Sequence, residues 1–158
     1  MANAPECTTG WTKINQEKNG VPWGAKGDAK GKWYVSSKIC GTKLMLVAIS
    51  GGVTCGLYSK TNFGCTASCC ELGVYVTEGK GYQYSIAPKD TTGHYTMTGY
   101  NENSPFIEFS LDDYCFETAT EYNLWYNEDM EDDSEWNNGG TAYTDIYICP
   151  ATGDLLIS

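Results

Sequence analysis

The chain has 158 residues, with twenty acidic residues against ten lysines, no arginine and a formal net charge of −10. That length fits a single domain, residues 1–158, with a hydrophobic core of its own. The charge argues against a nucleic-acid binder, which needs basic residues for phosphates and often arginine for bases, and against an anionic membrane surface as partner.

Residues 1–32 read as largely loop-like, because "KNGVPWGAKGDAKGK" is dense in glycine and turn signals. Strand-like runs follow at 33–38, 43–50 and 53–59, with Gly51-Gly52 as the expected turn between the last two. "LMLVAI" at 44–49 is the longest apolar run, suited to a central core strand and far too short to cross a bilayer. "GVYVTEGKGYQYSIA" reads as a hairpin, with alternating apolar positions on either side of Gly79-Lys80-Gly81. Residues 94–100 and 105–111 read as a second pair of strands. "YNLWY" at 122–126 and "TAYTDIYIC" at 141–149 flank an acidic stretch, and "DLLIS" reads as a last short edge strand. No segment keeps a helical period, and Tyr, Trp, Val, Thr and Ile fill the regular runs. The expected fold is all-β: eight to ten short antiparallel strands in a β-sandwich or compact β-barrel with disulfide-stapled loops.

Eight cysteines, at 7, 40, 55, 65, 69, 70, 115 and 149, are an even set that suits disulfides in an oxidising compartment. They allow about a hundred pairings, and sequence does not choose among them. A bond between the neighbours Cys69 and Cys70 would strain their linking peptide, so these two are expected to take different partners. A bond from Cys149 would hold the C-terminal end in place. "MANAPEC" has neither a basic nor an apolar leader region, so the sequence reads as the mature form of a secreted, extracellular protein behind an added start methionine.

Charge is unevenly spread. Residues 1–89 carry all ten lysines and five acids, whereas residues 90–158 carry fifteen acids and no base. Six acids crowd into positions 128–135. Like charges this close repel unless they are solvated or neutralised. Calcium takes six to eight oxygen ligands, and this stretch offers charged and neutral oxygens together. The candidate ligands are Asp129, Asp132, Asp133, Glu135, Asn137, Asn138 and, on the returning strand, Asp145. The spacing is not that of an EF-hand, so such a site would be an irregular β-loop site. An exposed acidic turn with no ion is the plainer alternative.

Trp125, Tyr126, Trp136 and Tyr143 lie in or beside this stretch. Aromatic faces can stack on sugars while neighbouring oxygens and calcium take hydroxyls. The leading functional expectation is therefore a calcium-dependent extracellular carbohydrate-binding protein, a lectin-like module, with a glycan or matrix component as partner. The alternatives are a structural, adhesive or mineral-associated matrix protein and a secreted toxin or effector. Catalysis is disfavoured. The sole histidine, His94, has no recognisable nucleophile beside it, and carboxylate pairs such as Glu108 with Asp112 would be arbitrary choices. The disulfide reading predicts that unreduced protein weighs eight hydrogens less than its fully reduced form by mass spectrometry; a free-thiol count near eight would overturn it.

Overall fold

Two long strands, β4 (Ile39–Cys55) and β11 (Asn138–Pro150), pair antiparallel from Asn138 opposite Cys55 to Pro150 opposite Gly41. The computed structural model describes residues 5–56, 59–65, 70–132 and 136–151. In chain order the other strands are β1 (Thr12–Lys13), β2 (Val21–Gly24), β3 (Gly31–Trp33), β5 (Gly64–Cys65), β6 (Glu71–Leu72), β7 (Val74–Thr77), β8 (Ser85–Ala87), β9 (Phe106–Phe116) and β10 (Tyr122–Tyr126). A first sheet runs β1-β11-β4-β9, with β2 also on β11; a second runs β3-β10-β7-β8; β5 and β6 form a small pair. All the pairings are antiparallel.

The two large sheets share one core, as in a sandwich. Leu44, Leu46, Ile107, Phe109, Ile146 and Ile148 come from the first sheet, and Trp33, Val74, Val76, Tyr122, Leu124 and Tyr126 from the second. The alternation that marks half-buried strands explains this: on β11, Ala142, Thr144, Ile146 and Ile148 are buried while Tyr143 is exposed. Trp33, Phe116 and Tyr122 close one region with ring centroids 5.0–5.6 Å apart. The all-β, antiparallel expectation holds, and the run at 43–50 is central as expected, between β11 and β9.

Several local expectations do not hold. Gly51-Gly52 is not a turn: β4 runs straight through it, and the register shift between Tyr143 and Thr144 leaves Ile49 as a bulge. Gly51 has φ +71, and a Cβ there would lie 2.1 Å from the Thr141 carbonyl oxygen. The glycine serves close strand approach, which gives the same sequence signal as a turn. Residues 94–100 do not pair with 105–111; β9 pairs with β4, and Tyr95 bridges Leu72. The hairpin at 74–87 forms, but Tyr82–Tyr84 is a 3-10 turn. Short strands β1 and β2 dock on β11 within a region read as largely loop. "DLLIS" lies outside the described residues.

Disulfides join Cys7 to Cys149, Cys40 to Cys115 and Cys55 to Cys65. Cys70 is also disulfide-bonded, whereas Cys69 lies outside the described residues, as does the expectation about its partner. The strained crossing at Gly51 predicts that Gly51→Ala lowers stability by at least ~1–3 kcal/mol in denaturant unfolding. The same change at Gly93, where a Cβ would meet nothing within 4 Å, isolates the cost of a positive φ from that of the clash.

Candidate functional site

The acidic stretch crosses from one sheet to the other. β10 belongs to the second sheet and β11 to the first, so the stretch links the two sheets instead of joining neighbouring strands. It begins with one short helix, α1 (Asn127–Glu131), which ends at Asp132 in the left-handed region, φ 57. A helix here was not expected, because five residues are too few to display a period.

The helix covers the outer face of β10. Met130 packs with Trp125 and Tyr75, which sit opposite each other on β10 and β7. Lys80 and Lys30 lie 5.5 and 5.9 Å from the Trp125 ring. Asp129 is fully buried and accepts the backbone N–H groups of Asp28 at 2.8 Å and Ala29 at 2.7 Å. It thereby ties the loop between β2 and β3 to the helix. Asp28, Asp129 and Asp132 bring one carboxylate oxygen each to within 4.8 Å of the others. The Lys80 ammonium lies in contact with this group, 2.9 Å from Asp28 and 2.8 Å from Asp132. Those two carboxylates, Asp132 first, raise the Lys80 pKa.

The proposed calcium ligands therefore separate. Asp129 and Asp132 come together beside Asp28, and Lys80 pairs with Asp132. Asn138 is buried; its amide donates to Glu128 at 2.8 Å and to the Ala25 carbonyl at 3.2 Å. Asn137 lines a pocket beside Trp136. Asp145 is not part of the Asp28–Asp129–Asp132 group. It lies along β11, 3.0 Å from the Asn15 amide and 3.5 Å from the Lys13 ammonium. Asp133 and Glu135 lie outside the described residues.

The aromatic candidates separate too. Trp125 is 2% exposed and Tyr126 0%, so both are structural; Tyr143 is 37% and Trp136 79% exposed. Trp23 and Trp33 are core residues. Trp136 lines a pocket of ≈ 390 Å³ together with Glu71, His94, Glu128, Asn137 and the Cys55–Cys65 disulfide. The fold builds this pocket from six stretches of chain. Register sets Asn138 opposite Cys55, and so brings Trp136 and Asn137 to the end of β4. The Cys55–Cys65 bond joins β4 to β5, whose partner β6 carries Glu71 opposite Cys65. The Leu72–Tyr95 bridge sets His94 nearby. The first turn of α1 contributes Glu128.

Behind the pocket, the Tyr126 hydroxyl lies 3.0 Å from His94 Nε2, and Glu128 lies 3.9 Å from the same nitrogen. Burial, then the carboxylates of Glu128 and Glu71, push the Tyr126 phenol above its ordinary range, so it stays protonated. Sequence reasoning missed Glu71, His94 and Lys80 as neighbours of the acidic stretch. The nearest signal was the cysteine density at 55–70, which marks where distant segments are stapled together.

Asp129 and Asp132 are predicted to act differently. Asp129→Ala leaves two backbone donors without their charged acceptor, costing roughly 2–4 kcal/mol in denaturant unfolding. Asp132→Ala breaks an exposed ion pair and costs under about 1 kcal/mol. Equal effects would place the structural role elsewhere.

No protein-family model matches the chain, and no curated protein matches it. Among solved structures it is similar to AJLec from the sea anemone Anthopleura japonica, with a TM-score of 0.75 and 23% sequence identity, covering 87% of this chain and 95% of that one. At that identity the likeness shows the fold alone: the chain is an all-β, antiparallel protein with disulfide-stapled loops.

Proposed function

We propose that this chain is an extracellular glycan-binding protein of lectin type, and that the pocket under Trp136 is its sugar contact. The observation that carries the reading is Trp136 itself. Trp23, Trp33 and Trp125 are buried, whereas this indole is 79% exposed and stands at the rim of a polar pocket. An apolar ring with convergent carboxylates and an amide is the chemistry that a sugar needs: stacking for its C–H face, acceptors for its hydroxyls. The fold likeness to AJLec, a lectin by name, supports the same reading. The disulfides among the described residues suit an oxidising, extracellular setting.

Calcium belongs to this proposal in a narrower form than the sequence alone gave. The Asp28–Asp129–Asp132 group fits the ion poorly. Both Asp129 oxygens hold backbone N–H groups, and Lys80 already supplies positive charge to the other two. Glu71, Glu128 and Asn137, in the pocket, are the better donors. Among the described residues no lysine pairs with either glutamate. Three side chains fall short of the six to eight oxygens calcium takes, and sugar hydroxyls and water are suited to make up the number.

The test is a glycan array run with calcium and again with EDTA. Binding that disappears with EDTA supports both parts of the reading; binding that persists removes calcium and keeps the sugar. Attachment only to mineral or matrix protein, with no sugar signal, moves the chain to the structural or adhesive class. Trp136→Ala is expected to weaken glycan binding by at least about tenfold, since losing about 1.4 kcal/mol of contact is a factor of ten. Its unfolding midpoint should not move, because the side chain is largely outside the core.

A further inference from the structure

A second pocket, of ≈ 360 Å³, is lined by Tyr82, Gln83, Lys89, Asp90, Thr91 and Thr92 among others. One piece of chain serves both: Thr91 and Thr92 line this pocket, and His94 lines the Trp136 pocket. Two residues of extended chain reach no more than about 7 Å, so the two walls are close. We propose that this pocket is an adjoining subsite for the same glycan, so that the protein takes an extended, uncharged oligosaccharide rather than a single sugar. This inference rests on the glycan reading above.

The partition between the pockets is fixed before any ligand arrives. The Gly93 N–H donates to the Tyr82 hydroxyl at 2.9 Å, and the Tyr75 hydroxyl donates to the Gly93 carbonyl at 2.6 Å. Tyr82 packs edge-on against Tyr75, centroids 5.0 Å apart, and Tyr75 packs against Trp125 in the small cluster under α1. A wall held from two tyrosines loses little freedom when a ligand settles against it.

The lining matches a neutral sugar. Gln83 offers amide donors and an acceptor, and Thr91 and Thr92 offer hydroxyls that serve as either. Lys89 and Asp90 offset each other, so the pocket carries no net formal charge, unlike its neighbour with Glu71 and Glu128. Tyr82 supplies an aromatic wall at the base of the 3-10 turn, as Trp136 does at the rim of the first pocket. A chain of neutral sugars can use both surfaces, whereas an acidic one meets the two glutamates.

The probe is an array of neutral sugars, glucose, galactose, mannose and N-acetylglucosamine, each printed as the mono-, di-, tri- and tetrasaccharide. It is read with the native protein and with the double variant Gln83→Ala/Thr92→Ala, both positions being exposed. For the sugar the native protein takes, the tetrasaccharide should bind at least about tenfold tighter than the monosaccharide, as two added hydrogen bonds allow. In the double variant that gain should fall below about threefold while monosaccharide binding and the unfolding midpoint stay unchanged. Equal binding at all lengths, or a gain that survives the double substitution, overturns the subsite and leaves the glycan reading standing. No binding to any glycan overturns the glycan reading and the subsite with it.

Discussion

The pairing of β4 with β11 is the constraint on which the rest of the molecule hangs. It is possible over such a length because glycine lies on both strands where the backbones come closest. A Cβ at Gly51 would strike the Thr141 carbonyl and one at Gly140 would strike the Gly52 carbonyl, at 2.1 and 2.3 Å. With the register set, β1 and β2 have an edge to dock on and β9 a partner on the other side. The second sheet then packs its aromatic face against a surface already made. The Trp136 pocket is a product of the same register, because Asn138 is the residue placed opposite Cys55.

Folding also eases the lopsided charge. Acids of the second half meet lysines of the first: Asp145 with Lys13, Glu121 with Lys30, Glu117 with Lys38, Glu108 with Lys43 and Asp132 with Lys80. Each exposed pair contributes little by itself. The crowding in the acidic stretch is eased further by direction. Asp129 turns inward to backbone donors, Asp132 outward to Lys80, and Glu128 toward the pocket and Asn138.

Strand positions with strong alternation were legible in the sequence. Residues 122–126 match β10 and 141–149 fall inside β11. What a turn signal means was not legible, since Gly51-Gly52 would read alike at a hairpin and at a bulge. The candidate site was legible in part. Trp136 and Asn137 are where an exposed ligand contact was sought, but Trp125, with the same acidic neighbours, is covered by Met130. Local sequence does not carry the difference, because the covering side chains arrive through tertiary packing. Glu71 and His94 were invisible for the same reason: they reach the pocket through a disulfide and a lone bridge.

The Cys7–Cys149 disulfide has a consequence for how the protein meets proteases. It encloses all but the ends of the chain, with a sequence separation of 142. A cut at one exposed connection anywhere between those cysteines opens the polypeptide but releases nothing, since both pieces remain one covalent molecule. With β1 and β11 hydrogen-bonded beside that bond, the two pieces also stay paired there. A single nick therefore costs this protein a peptide bond without costing it a fragment.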